Sequence, residues 1–179
     1  MPRIIRSTQR RPGGTMTDTQ QDDRHDIVMA EIGAAVEAGH AGDTATARAR
    51  FDALWARVGE RGDPLHRCTL AHHAADVQDD PHAELRWDER ALAAADELTD
   101  DRARAHHASL QVAGFYPSLH LNLADVHRRL GADGPAREHL ALARARTGAL
   151  PDDGYGRMIR AAIERCGERL DRGDRSAAS

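Results

Sequence analysis

The amino-acid sequence predicts an all-α protein built from antiparallel helix pairs. Apolar and small residues recur at helical spacing through most of the chain, and no segment has the strict alternation of a half-buried strand. Glycine and proline lie mainly at the ends of these periodic segments, where helices start and stop. A chain of 179 residues can bury roughly 70% of the surface that its unfolded form exposes, so one domain can fold without disulfides or metals.

The first predicted helix pair follows residues 1–23, which we expect to be a disordered N-terminal extension. Residues 1–15 are basic and contain no acid, and Met16 offers an alternative start of translation. From Val28 onward, small and apolar residues have the spacing of two helices joined at a glycine. These residues are Ala34, Ala35, Ala38, Gly42, Ala47, Phe51 and Leu54.

The second predicted pair begins at Pro64, with Asp63 before it as the expected N-cap. Leu70, Ala71, Ala74, Ala83 and Trp87 repeat the spacing of the first pair. In this copy Arg90 falls where a small residue is expected, one position before Ala91.

The third predicted pair begins at Pro117 and has the clearest pattern. Its members are Leu123, Ala124, His127, Gly131, Ala136, Leu140 and Ala143. The small residues let two helices approach closely, the large apolar residue fills the gap between them, and the glycine ends the first helix. The 53 residues from Pro64 to Pro117 exceed the 36 from Val28 to Pro64, so we predict an inserted helix from about Asp101 to Val112.

A last helix is predicted from Asp153 to Leu170 and would cap the end of the array. One helical stripe holds Met158, Ile159, Ala162, Ile163, Cys166 and Leu170. The helical domain is therefore expected to span 24–170, and residues 171–179 are expected to form a disordered tail.

These three units resemble tetratricopeptide repeats. Counted from Pro117, residues Leu123 and Ala124 fall at positions seven and eight, Gly131 at fifteen, and Ala136, Leu140 and Ala143 at twenty, twenty-four and twenty-seven. His120 and His127 replace large aromatic residues of the family. More loosely, the whole chain resembles short uncharacterised repeat proteins of actinobacteria.

The resemblance implies a protein- or peptide-binding adaptor whose first helices line a concave face. Carried over by position, the expected binding residues are Met29, Ile32, Leu65, Cys68, His72, Asp76, Leu121, Asn122, Asp125 and Arg129. Asn122 matches the asparagine with which many family members hold a ligand's main chain. We expect Asn122 and Arg129 to contact the partner without contributing to stability. The alternative is that the inserted helix covers the apolar part of this face.

Histidines suggest a second hypothesis, a metal- or small-ligand pocket. His66 and His73 share one helical face, and His106 or His107 of the inserted segment would have to complete the site. The HHAAD sequence lacks the HExxH arrangement, so ordinary polar histidines at exposed positions explain the pattern as well, and no cofactor is expected. Cys68 and His72 have the spacing of a dyad on one helix, but a cysteine here is more simply a packing residue.

Composition and motifs also bear on whether the protein is an enzyme, a nucleic-acid binder or a membrane protein. No phosphate-binding glycine loop or GxSxG motif is present, so we do not expect an enzyme. The net charge of −4 and 3% aromatic content argue against nucleic acid, and no apolar run approaches a membrane span. The two cysteines lie far apart in the sequence, which fits a reducing cytoplasm. The sequence is compatible with both a monomer and a homo-oligomer. All 25 basic residues are arginine, which is typical of GC-rich bacterial genomes.

Overall fold

The computed structural model describes residues 16–106 and 112–177. Within this part of the chain every regular element is helical, so the all-α fold class is confirmed. The helices are α1 (Met16–His40), α2 (Thr44–Val58), α3 (Pro64–Asp76), α4 (Pro81–Glu97), α5 (Asp100–His106), α6 (Tyr116–Arg129), α7 (Asp133–Ala145) and α8 (Gly154–Asp171). Short 3-10 turns span Val112–Gly114 and Thr147–Ala149.

Six of these helices form three pairs: α1 with α2, α3 with α4, and α6 with α7. Only three or four residues separate the members of a pair, so the chain must reverse and the two helices are antiparallel. Gly42 and Gly131 have positive φ angles of 86° and 77° in the first and third of these turns, a conformation that glycine adopts without strain. Successive pairs pack on each other through α2 against α3 and α4 against α6, and α8 packs on both helices of the third pair.

Asp63 caps α3, as the sequence predicts. Its Oδ1 accepts hydrogen bonds from the backbone N–H groups of Leu65 and His66, both at 3.1 Å. The same carboxylate accepts hydrogen bonds from Arg102 of α5 at 2.6 and 2.9 Å. This ion pair ties α5 to the start of the second helix pair.

The apolar core has two main parts. One lies among α1–α4 and includes Phe51, Leu70 and Trp87; the other lies among α6–α8 and includes Leu140 and Ile163. The small residues predicted at the helix crossings of the first and third pairs are fully buried: Ala47, Ala124, Ala136 and Ala143. Burial of these alanines agrees with their predicted place on the packed faces, whereas Ala34 of the first pair is exposed.

The second pair departs from the predicted spacing because its turn, residues 77–80, is one residue longer than those of the other pairs. Counted from the helix start, the fourth residue is Ala47 in α2 and Ala136 in α7, but Glu84 in α4. The eighth is Phe51 in α2 and Leu140 in α7, but Asp88 in α4.

The eleventh residue is small or apolar in all three helices: Leu54, Ala91 and Ala143. Counting along the sequence from Pro64 places Arg90 at this small position. Because the turn has one extra residue, Ala91 takes the position instead and is buried. The assignment of Ala83 to the crossing was wrong, since Ala83 is only half-buried.

The termini of the helical region and the insertion also differ from expectation. α1 begins at Met16, eight residues before the expected domain start at 24. The inserted helix α5 ends at His106, and residues 107–111, which complete the predicted helix, lie outside the described residues. In α8 the stripe is buried at Ile159, Ile163, Cys166 and Leu170, whereas Met158 is 53% exposed.

Residues 172–177, expected to be disordered, fold back onto the helices. Arg128 of α6 donates hydrogen bonds to the backbone carbonyls of Asp174 and Ser176. Arg169 of α8 bonds the Asp174 carboxylate at 2.9 Å and the Ser176 carbonyl at 2.6 Å. Two arginines thus hold the tail, a function that helical periodicity does not encode.

Candidate functional site

An open cleft of about 530 Å³ lies between α6 and α8. The ends of α3 and α4 close one side, and the folded tail closes another through Asp174 and Ser176. Its apolar surface is formed by Leu121 of α6 with Ala162 and Cys166 of α8. The volume lies within the range of about 300–1,000 Å³ that is usual for ligand sites.

Four of the ten expected binding residues line this cleft: Asp76, Leu121, Asn122 and Asp125. They come from the end of α3 and from one face of α6, because Leu121 and Asn122 lie four and three residues before Asp125, about one helical turn. The third helix pair thus places three of its predicted residues on the cleft, and their binding role stays a prediction.

The expected binding residues of the first two pairs are placed differently. Ile32, Leu65 and Cys68 are at most 4% exposed and are core residues, not surface residues. Met29 is half-buried and packs against the first core cluster. Leu65 packs with Leu98 and Val112 from the connection between α4 and α6. Leu98 and Val112, at the two ends of the insertion, thus cover Leu65, and whether the inserted helix covers more of the apolar face depends on residues 107–111, which lie outside the described residues.

Arg129 belongs to an ion-pair network rather than to a free binding surface. Its side chain bonds Glu84 of α4 and, at 3.0 Å, Asp125 one turn earlier on α6. Only 13% of the Arg129 side chain is exposed. Removing Arg129 would leave the partly buried Glu84 carboxylate without its cation and Asp125 with Arg128 alone. These contacts therefore predict a loss of stability, contrary to the expectation from the sequence.

Arg128 is the most buried cation of the described chain, with no exposed surface. It donates to the Asp125 carboxylate at 2.8 and 3.0 Å and to two tail carbonyls. The Asp125 carboxylate, which lines the cleft, bonds both Arg128 and Arg129. Through Arg128 it is connected to the tail.

Asp88 lies behind Asn122 and has an unusual environment for a carboxyl group. Its side chain is 1% exposed, and its Oδ1 accepts a hydrogen bond from Asn122 Nδ2 at 3.3 Å. Among the described residues, its Oδ2 has no hydrogen-bond partner. Burial, together with the nearby Glu84 carboxylate, raises the pKa of Asp88 well above its usual value. Burial also raises the pKa of Glu84, although Arg129 opposes this shift.

The opposite side of the cleft is basic. Arg165, Arg169 and Arg172 follow one another at offsets of four and three along α8 and its C-terminal end, and all three line the cleft. Asp76 and Glu84 line the side formed by α3 and α4. The cleft is therefore acidic toward α3 and α4 and basic toward α8.

The histidines proposed as metal ligands do not form a common site in the described part of the molecule. His66 is 5% exposed beside the Asp63 cap, whereas His73 is half-exposed and lies 3.6 Å from Asp76 Oδ2. His106 ends α5, and His107 lies outside the described residues. Among the side chains that are described, no group of three or more metal-ligating residues is placed to hold an ion.

A different histidine cluster joins α6 to α7. Nδ1 of His120 and Nδ1 of His139 are 3.1 Å apart, and the ring of His127 stacks on that of His139. Burial, Arg146 and His139 together lower the pKa of His120 to about 4. Burial and His127 lower the pKa of His139. The helix spacing of His120 and His127 was visible in the sequence, but their contact with His139 depends on the pairing of the two helices.

The Cys68 and His72 pair does not form an activated nucleophile. Burial raises the pKa of the Cys68 thiol to about 12 and lowers the pKa of His72, so neither group favours its charged form. His72 Nδ1 has no hydrogen-bond partner among the described residues. Burial therefore disfavours the Cys68 thiolate.

Comparison with known proteins adds no assignment: no family model, curated protein or solved structure matches this chain. Among the described helices, none has both the length and the apolarity needed to cross a bilayer.

Proposed function

We propose that this chain is a tetratricopeptide-like adaptor that binds a peptide segment of a protein partner in the cleft between α6 and α8. The observation that carries the proposal is the cleft itself: α6 presents Leu121, Asn122 and Asp125 to an open volume of about 530 Å³. These three residues are among those that the family resemblance implies for partner binding.

The helix arrangement supports the repeat interpretation. Three antiparallel pairs follow in order, each pair packs on the next, and α8 covers the last pair as a capping helix does. Equivalent positions in the first and third pairs hold alanine and then a large apolar residue, Ala47 with Phe51 and Ala136 with Leu140.

The chemistry of the cleft suits a peptide. Leu121, Ala162 and Cys166 offer apolar contact, while charged side chains surround them. Asn122 Nδ2 donates a hydrogen bond to Asp88, which fixes the orientation of the side-chain amide. The amide oxygen of Asn122 can then accept a hydrogen bond from a ligand N–H. We infer that this cleft binds a ligand without cysteine catalysis, because burial raises the pKa of the Cys68 thiol to about 12 and Cys68 does not line the cleft.

A matched pair of substitutions on α8 tests this proposal. Ala162 lines the cleft, whereas its neighbour Ala161 is exposed outside it. Ala162→Trp should fill the cleft and reduce retention of native-lysate partners more than tenfold, and Ala161→Trp should retain them as the parent does. Retained proteins are quantified by mass spectrometry, and circular dichroism checks that both variants keep their helicity.

Equal retention by the parent and by Ala162→Trp would exclude the cleft as the binding surface. Metal analysis of protein purified without a histidine tag provides a second check. A stoichiometric bound metal would favour the small-ligand hypothesis over the adaptor.

A further inference from the structure

The second helix pair carries acids at two positions where the other pairs carry packing residues. Glu84 takes the place of Ala47 and Ala136 at the fourth residue of the helix, and Asp88 takes the place of Phe51 and Leu140 at the eighth. Burying a carboxyl group in such a position costs stability unless it is fully paired. A departure from the packing rule of this kind points to a binding role.

The pairing of these acids is incomplete. Asp76, Glu84 and Asp125 line one end of the cleft, and Asp88 is buried behind Asn122. Among the described residues, Arg129 bonds Glu84 and Asp125. Asp88 Oδ1 receives one amide hydrogen bond, from Asn122, and its Oδ2 receives none from the described residues. Within the described part of the chain, the ion-pair contact of Asp76 is with His73, at 3.6 Å.

We propose that this acidic end of the cleft, formed by Asp76 and Glu84 at the surface with Asp88 buried behind Asn122, receives a basic side chain of the bound peptide. This inference rests on the proposed function and specifies the chemistry of the partner. Asp76 and Glu84 reach the cleft surface, and the Asp88 carboxyl group is turned toward Asn122, which also lines it. A guanidinium or ammonium group entering here would meet two carboxylates at once.

The described side chains favour an organic cation over a metal ion. No set of three potential ligands converges closely enough to hold an ion, whereas a guanidinium carries five N–H donors and can bond carboxylates that lie further apart. Arg165, Arg169 and Arg172 on the α8 side repel a cation and direct it toward α3 and α4.

Four short peptides test the inference. They have the sequence acetyl-Ala-Leu-Xaa-Leu-Ala-amide, in which Xaa is arginine, lysine, citrulline or glutamate. Citrulline has the shape of arginine without its charge. Titrated into ¹⁵N-labelled protein at up to millimolar concentration, the arginine and lysine peptides should shift the amide signals of Asp76, Glu84 and Asn122, with Kd at least tenfold below that of the citrulline peptide.

Two variants assign this preference to the acids. Glu84→Gln keeps an oxygen that can accept from Arg129 but removes the charge, and it should reduce the preference for arginine over citrulline to less than threefold. Asp76→Asn, at a half-exposed side chain, provides the same test if the first variant is unstable. Glu89→Gln, on an exposed part of α4, is the matched control and should keep the full preference.

Equal Kd values for the arginine and citrulline peptides at the cleft would overturn the basic-side-chain inference and leave peptide binding intact. Absence of cleft shifts with the arginine peptide would also overturn it. If magnesium or calcium chloride alone shifts the same amides at stoichiometric concentration, the acids bind a metal ion and the inference is wrong. Failure of the proposed function itself is recognised separately, by unchanged partner retention in Ala162→Trp.

Discussion

Replacing Arg128 with methionine tests the interior of the site. The Arg128 side chain has no exposed surface and bonds the Asp125 carboxylate and the backbone carbonyls of Asp174 and Ser176. Methionine keeps much of the aliphatic volume and removes every donor. The substitution should therefore remove one of the two arginines that hold the tail and leave Asp125 with Arg129 alone.

The expected loss follows from these contacts. A hydrogen bond that involves a charged group contributes about 1.5–3 kcal/mol, and breaking a buried ion pair costs about 3–5 kcal/mol. Asp125 keeps Arg129, and the tail carbonyls can turn to water, so both values are upper limits here. We expect Arg128→Met to lower the free energy of unfolding by about 2–4 kcal/mol and the Tm by roughly 10 °C.

Urea unfolding followed by circular dichroism measures this change. Arg137→Met is the control, because Arg137 forms an exposed ion pair with Asp171 and should change stability by less than about 0.5 kcal/mol. In a chain truncated after Gly173, Arg128→Met should cost less than in the full chain, since two of its partners are already gone. Equal stability of Arg128→Met and Arg137→Met would refute this description of Arg128. The same holds if Arg128→Met costs as much free energy of unfolding in the truncated chain as in the full chain.

Two further predictions concern packing and pH. Ala136 is fully buried at the crossing of α6 and α7, so Ala136→Leu should lower the free energy of unfolding by about 1–3 kcal/mol. Arg137→Ala should have little effect. Equal stability of these two variants in urea unfolding would contradict the proposed helix register. Because the native pKa of His120 is about 4 and its usual value is 6.5, the unfolded chain binds more protons between these values. The contribution of His120 to stability should thus be complete above pH 6.5 and be lost as the pH decreases toward 4. His120→Phe should flatten that slope, and an unchanged slope would contradict the assignment.

Local sequence signals predicted much of the fold. Asp63 before Pro64 marked a helix start, and the N-cap hydrogen bonds follow from local chemistry alone. Gly131 marked a helix end because its positive φ suits glycine. Ala136 and Leu140 identified the buried face of α7 because helical periodicity fixes which residues share a face.

Other features depend on turn length and on contacts between distant residues. The extra residue in the turn at 77–80 changes which side chains of α4 are buried, and nothing in the periodicity of α4 records it. The burial of Asp88 was not predicted, because a single acid in an amphipathic helix is normally expected to be exposed. The tail contacts of Arg128 join residues 46 and 48 positions apart, which only the folded chain brings together.

Site-specific photo-crosslinking most directly tests the claim that the cleft between α6 and α8 holds the partner. Benzoylphenylalanine at the Arg165 position, on the cleft, should cross-link a partner peptide in native lysate. The same group at Ala161, exposed outside the cleft, or at Ala53, in a cavity between α1 and α2, should not. Cross-links from position 53 or 161 with none from position 165 would contradict the account and place the partner on another face.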